Sequence, residues 1–265
     1  QVAASSRPPS PAASRIAIVM AASVAKHHWA LVTGGNSGIG LAVAEELARM
    51  GFSVALSARD VAKLAAAEAK VTAAGAPAVE SLPCDVSDPA SVQALAQGLL
   101  DRHGGVGVLI NNGGMMAQGS PTEGDPDEWA RMMRVNVDAP MRLCRALTPG
   151  MAERGGGLVV NIGSVAAVEP MSGTSAAYAA SKHALRGWSI SSYLTLRHHN
   201  VKVCLVNPAF VNTPMLGNIP EEKVHRDRMI QPEDIAKYVR FCAEASAGCV
   251  PEEVTMRLGL TAWKQ

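Results

Sequence analysis

The stretch from Trp29 to Gly51, "WALVTGGNSGIGLAVAEELARMG", decides the fold. Its first residues, Trp29 to Gly34, form a short apolar run that reads as a buried strand. Four glycines then interrupt it within seven positions, and from Gly38 onward apolar residues return at helical spacing until Gly51 closes the helix. A strand that turns through glycines straight into a helix leaves the first helical N–H groups unpaired at the turn. There the backbone can approach an anion closely. The bland alternative, a glycine-rich turn with no ligand, is disfavoured by the strand before it and the helix after it.

The same alternation continues to the end of the chain. Short β-branched runs at 29–34, 53–58, 76–86, 106–112, 157–164, 201–208 and 252–258 are separated by amphipathic, alanine-rich segments near 38–50, 60–74, 88–103, 127–153, 176–199 and 232–245. Strict β–α alternation implies parallel strands joined by right-handed crossovers. The expected fold is α/β, a Rossmann-like doubly wound parallel sheet of about seven strands with helices on both faces, in three layers. Asp88 before Pro89 is a candidate N-cap, and Pro232, Glu233 and Asp234 suit the first turn of the last helix. The irregular stretch 209–231 is long for a compact domain, and such segments are usually functional.

Composition bounds the function. With 265 residues, 48% of them hydrophobic, the chain can build one large core, and a single domain over 27–265 is expected. A net charge of +1 without basic or acidic blocks gives no sign of a nucleic-acid or membrane-surface partner, and a small-molecule partner, with no nucleic acid and no membrane span, is expected. Five scattered cysteines and two histidine doublets lack metal-ligand spacing, so no metal is expected and the thiols read as reduced. Residues 1–26, rich in Ala, Ser and Pro with arginines and no acid, suit a disordered tail or an organelle transit peptide. Localisation is therefore cytoplasmic, or in a plastid or mitochondrion if that segment is a transit peptide.

The turn itself, "TGGNSGIG" (Thr33–Gly40), is spaced T-G-x-x-x-G-x-G, one residue longer between glycines than the G-x-G-x-x-G dinucleotide fingerprint. Gly34, Asn36, Ser37, Gly38, Ile39 and Gly40 are the candidate contacts to a pyrophosphate. At the end of the second strand an acidic residue would accept the ribose 2′-hydroxyl of NAD. Here Ala58 takes that place and Arg59 follows, which favours NADP(H) over NAD(H), because a guanidinium can grip a 2′-phosphate with two hydrogen bonds. The competing reading is a solvated Arg59 paired with Asp60. Asp85 and Val86, in "CDV", can take the adenine amino group and the face of the ring.

By this point the chain resembles the short-chain dehydrogenase/reductases of the compact, single-domain branch over about residues 28–260. The matching pieces are "TGGNSGIG", "CDV", "NNGG" (111–114), "VNV" around Asn136, "NIGS" ending at Ser164, "YAASK" (178–182) and "NPAFVNTPM" (207–215). Seven short motifs in this order leave little room for chance. The resemblance implies a catalytic set of Asn136, Ser164, Tyr178 and Lys182, with the cofactor also touching Asn112, Gly113, Tyr178, Lys182, Pro208, Val211 and Thr213.

The residue types suit that chemistry. Tyr178 and Lys182 are four apart on a helix and share a face. A free phenol, with a pKa of about 10, is a poor acid–base catalyst at neutral pH. A nearby ammonium and the positive ring of an oxidised nicotinamide favour the phenolate, so Lys182 is expected to lower the Tyr178 pKa. Ser164, at a strand end, can donate to a developing alkoxide. The resemblance further makes Lys182 the holder of the ribose hydroxyls and Asn136 the support of a relay water. It also implies a homodimer or homotetramer packed through the helices carrying Asn136 and Tyr178.

Departures are small. Gly113 stands where the family has alanine and Ala209 where it has glycine, a problem only if that position needs a positive φ. Ser164 and Tyr178 are one residue further apart than expected. Met115, Met171, Phe210, Met215, Leu216 and Ile219 are candidate walls of an apolar substrate pocket, with core packing as the alternative for each. The expected activity is NADP(H)-dependent interconversion of a carbonyl (aldehyde, ketone or 3-oxoacyl) and its alcohol. An NAD-dependent alcohol dehydrogenase and a non-catalytic dinucleotide-binding scaffold or regulator remain the alternatives.

Overall fold

A computed structural model describes residues 28–117, 119–169, 176–217 and 219–264. The expectation for residues 1–26 lies outside these. Seven strands form one sheet: β1 (Trp29–Thr33), β2 (Ser53–Ala58), β3 (Val79–Pro83), β4 (Val108–Asn111), β5 (Gly157–Ile162), β6 (Val201–Pro208) and β7 (Glu253–Met256). All neighbours pair in parallel, in the order β3-β2-β1-β4-β5-β6-β7. The chain winds outward from β1 to β3 and then crosses to β4 on the other side. The crevice between the carboxyl ends of β1 and β4 is therefore the place where such sheets take a ligand.

The helices are α1 (Gly38–Arg49), α2 (Val61–Ala73), α3 (Pro89–His103), α4 (Pro126–Met133), α5 (Ala139–Glu153), α6 (Ala176–Leu196) and α7 (Pro232–Glu244). Because side chains alternate along a strand, each central strand feeds two cores. Ala30, Val32, Val54, Leu56, Val108, Ile110, Val160 and Val206 pack with Leu47 of α1, Leu64 of α2 and Val239 of α7. Leu31, Ala55, Leu109, Val159 and Val203 face the other way, onto Leu99 of α3 and Leu143, Leu147 and Met151 of α5. Both faces are covered, which is why the strand runs are almost continuously apolar.

Local signals act where the sequence places them. The Asp88 side chain accepts from Ala90 N at 3.0 Å and Ser91 N at 3.3 Å, opening α3. Gly51, with φ 89°, ends α1. The long helix expected over 127–153 is instead α4 and α5 joined by one π turn, Arg134–Asp138, which contains Asn136. A π turn holds one residue more per hydrogen-bonded loop than an α turn, and such turns concentrate at functional positions. Among the described residues of 209–231 there are three single 3₁₀ turns and isolated bridges at Val211, Val224 and Ile230.

Candidate active site

The glycine turn is held from behind by side chains of β1 and β4. Thr33 Oγ1 accepts from Asn112 N at 3.0 Å and Gly113 N at 2.9 Å, and Asn112 Nδ2 donates to Thr33 O at 2.9 Å and Gly34 O at 3.2 Å. Asn112 and Gly113 thus brace the turn, whatever else they touch. Gly34 and Gly38 have φ of 63° and 52°, which L residues with a Cβ rarely adopt. A Cβ on Gly40 would collide with the Gly34 carbonyl, so glycine there allows α1 to close against the turn. Ser37 precedes α1 without its side chain capping it, which leaves the helical N–H groups open. Thr213 lies against the same turn, since a Cβ on Gly38 would meet Thr213 Cγ2 at 3.0 Å.

At the far end, Arg59 is exposed. The competing pairing with Asp60 is not formed: Asp60 caps α2, accepting from Lys63 N at 3.0 Å, and its ion pair is with Lys63 at 3.4 Å. Asp85 Oδ1 accepts from Ser87 N at 2.9 Å and Ser87 Oγ at 2.8 Å. Burial works to raise the Asp85 carboxyl, but the Ser87 hydrogen bonds and the charges of Arg59 and Arg131 outweigh it and hold it below the ordinary carboxylate range. Arg131 of α4 is a charge at this end that sequence reasoning missed; nothing in the chain relates it to Asp85 before the fold brings them together. Val86 lies beside Gly113, a Cβ there being 3.6 Å from Val86 Cγ2.

At the near end, Ser164 follows β5 and Tyr178 and Lys182 project from α6. Lys182 is 6% exposed, and its Nζ donates to Ile162 O at 2.9 Å while standing 5.7 Å from the centre of the Tyr178 ring. Ser164 Oγ accepts from Ala166 N at 3.2 Å and stands near enough to the Tyr178 phenol to act on its ionisation. Asn136 is buried: its Oδ1 accepts from Met115 N at 2.9 Å, and its Nδ2 donates to Met115 O at 2.9 Å and Ser181 Oγ at 3.0 Å. Gly114 separates Asn136 from Lys182, since a Cβ there would be 3.5 Å from Asn136 Oδ1 and 3.9 Å from Lys182 Nζ. The fold therefore brings Asn136, Ser164, Tyr178 and Lys182 into one cluster.

The electrostatics differ from expectation. Burial pushes the Tyr178 phenol above its ordinary value, and the Ser164 hydrogen bond offsets this only in part. Burial also lowers the Lys182 ammonium to about 8. In the protein alone, desolvation sets the direction of both shifts.

The structure bears on two further expectations. Ala209 does not have a positive φ; its N–H donates to Met256 O at 2.9 Å, so the missing glycine costs nothing there. Phe210, Leu216 and Ile219, all partly buried, pack with Leu258 against a small core of Val224, Met229 and Ala262, with Phe210 edge-on to Trp263. Met215 remains 53% exposed and Met115 is half-buried. Val211 is buried and bridges Ile230, and Pro208 ends β6. Met171 and the extra residue between Ser164 and Tyr178 fall in 164–178, whose middle, 170–175, lies outside the described residues. Among the described residues no helix is long and apolar enough to cross a membrane.

A doubly wound sheet with a glycine turn at its switch point and a tyrosine–lysine helix beside it defines a Rossmann-like oxidoreductase. Residues 28–224 match the short chain dehydrogenase family, and the chain belongs to it. A metagenomic short-chain oxidoreductase solved in complex with NADP is 38% identical and superposes with a TM-score of 0.76 over 88% of this chain and 97% of that one. A putative ketoacyl reductase of Streptomyces coelicolor is 31% identical over 83% of this chain and 92% of its own length. An uncharacterized oxidoreductase of Staphylococcus saprophyticus is 30% identical over 86% and 96%.

Proposed function

We propose that this chain is an NADP(H)-dependent reductase that interconverts a carbonyl, of aldehyde, ketone or 3-oxoacyl type, and its alcohol, in a single catalytic domain beginning near residue 27. The observation that carries the reading is the Ser164–Tyr178–Lys182 cluster standing at the ligand crevice of the sheet. The residues present fit a dinucleotide: glycines 34, 38 and 40 leave a cradle that side chains would fill, and the α1 N-terminus above it is uncapped. Ser37, Ile39 and Asn36 complete that turn, Arg59 reads the 2′-phosphate, and Asp85 and Val86 flank the adenine. Gly113 permits close approach in the middle, and Pro208, Val211 and Thr213 hold the carboxamide end. When bound, the nicotinamide supplies or accepts the hydride.

The chain's own part is electrostatic and positional. Tyr178, a phenol and so protonated at neutral pH, donates its phenolic proton to the substrate oxygen. Ser164 donates a hydrogen bond to the same oxygen as negative charge builds there. Lys182 holds the ribose hydroxyls and favours the phenolate left after transfer. The gap over Gly114, between Asn136 and Lys182, suits a water that returns the proton. The similarity to ketoacyl reductases supports a 3-oxoacyl thioester as one substrate candidate. Assay of the purified protein with NADPH against a broad carbonyl panel, including a 3-oxoacyl thioester, tests the reading. Turnover of at least one carbonyl is expected, and inactivity across the panel would refute it.

A further inference from the structure

The amide N–H of Ser164 donates to Asn207 Oδ1 at 3.3 Å. Asn207 is fully buried at the end of β6, and its other side-chain atom, Nδ2, donates to Glu253 Oε1 at 2.7 Å. Glu253 opens β7 and receives a two-pronged grip from Arg186, Nε to Oε1 at 2.6 Å and Nη2 to Oε2 at 2.9 Å. Arg186 lies on α6, one turn beyond Lys182 and two beyond Tyr178, so all three share a helix face. The Arg186 hydrogen bonds hold the Glu253 carboxyl below its ordinary range, which keeps it an acceptor.

We propose that Asn207, Glu253 and Arg186 form a positioning relay that sets Ser164 relative to Tyr178 and Lys182, an inference that rests on Ser164 and Tyr178 being the reacting pair. Helix α6 grips the end of β5 twice. Lys182 takes the Ile162 carbonyl directly, and Arg186 reaches the Ser164 amide through Glu253 and Asn207. The residue between those grips, Gly163, has no room for a side chain, because a Cβ there would run into Asn207 Oδ1. The amide of Asn207 has one workable orientation: its oxygen must face the Ser164 N–H and its nitrogen the carboxylate. A partly exposed ion pair stabilises a fold little by itself. Its geometric value is that a displacement of about 1 Å at a reacting group can cost about a hundredfold in rate.

The test uses Glu253→Leu, which removes the acceptor, and Glu253→Gln, which still accepts from Asn207 but loses the charge. Turnover with NADPH is measured on a carbonyl that the parent reduces, NADPH binding by fluorescence, and Ser164 amide exchange by NMR. For Glu253→Leu a fall in kcat on the order of 10- to 100-fold is expected, with the NADPH Kd within about twofold of the parent. Glu253→Gln should stay within about threefold of the parent, since its acceptor is kept. Unchanged kcat in Glu253→Leu, a parallel loss of NADPH affinity, or a Gln variant as impaired as the Leu variant would each overturn the relay. If Glu253→Leu does not fold, Arg186→Leu, which spares the Asn207–Glu253 bond, should show the same separation of kcat from Kd. Should the parent reduce no carbonyl, the proposed function fails and the relay is judged by exchange alone. Ser164 amide exchange faster by about tenfold in the variant supports it, and equal rates sink it.

Discussion

Lys182 Nζ donates to the backbone carbonyl of Ile162 at 2.9 Å, and that is its one protein partner within hydrogen-bond reach among the described residues. A buried ammonium with three donors and one acceptor is under-satisfied. Burial lowers its pKa to about 8. The fold keeps a destabilising group where a ligand's hydroxyls would complete its hydrogen bonding.

Lys182→Met should therefore be inactive yet more stable without cofactor. Lowering the ammonium from 10.5 to about 8 corresponds to a cost on the order of 3 kcal/mol, of which an orphaned Ile162 carbonyl returns about 1 kcal/mol or more. A gain of about 1–2 kcal/mol, a few degrees in Tm, is expected by thermal denaturation of the ligand-free protein.

The same group fixes a pH dependence of stability. Between about pH 8 and 10.5 the unfolded chain keeps the Lys182 proton that the folded chain has released, so this residue makes stability rise with pH across that window. Tyr178 acts in the opposite sense above its ordinary value of 10.0, where the unfolded phenol ionises first. Denaturant titrations of the parent and of Lys182→Met should differ in slope between pH 8 and 10 and converge near pH 10.5.

Tyr178→Phe should cut kcat by about 10²- to 10⁴-fold, the usual contribution of a positioned acid, with NADPH affinity nearly kept. Stopped-flow turnover beside equilibrium binding checks it, and full turnover in the variant would refute the proton-donor role.

Arg59→Ala should weaken NADPH binding by about 10- to 100-fold and leave NADH unchanged, because only a 2′-phosphate meets the guanidinium. Arg59 is exposed and unclaimed by Asp60, so the substitution should not alter Tm. No loss of affinity for either nucleotide would assign the arginine to the surface alone.

Gly114→Ala should fold normally, since its Cβ would make only ordinary contacts at 3.5 Å and 3.9 Å. It would occupy the gap between Asn136 and Lys182, and slower proton return should lower kcat by about tenfold. Added small amines, which carry protons without the internal water, should restore part of the loss.

The fold was legible because strands buried on both faces and helices buried on one leave periodicities of different kinds, and because Gly38, Gly51 and Asp88 mark where they meet. The candidate site was legible as residue types at spacings along single elements, such as Tyr178 and Lys182. What escaped the sequence depends on meetings between distant segments. Arg131 faces Asp85 only once α4 is docked. That Phe210, Leu216 and Ile219 pack beside Leu258, Ala262 and Trp263 appears only once the C-terminal residues fold back on them. The direction of the Tyr178 shift depends on how much water the folded cluster excludes, which no spacing records.

The π turn at Arg134–Asp138 has a rotational consequence. Each α-helical residue advances about 100° around the axis, so one additional residue puts α5 out of phase with α4 by about that angle. Asn136 can then face the cluster while Met132 before it stays buried and Leu143 after it points into an apolar core. Excising a single residue from this turn would leave a continuous helix of ordinary pitch, yet either Asn136 or one of the two apolar faces would swing toward water. The irregularity acts as a phase shifter, and it lets one segment serve both the core and the cluster.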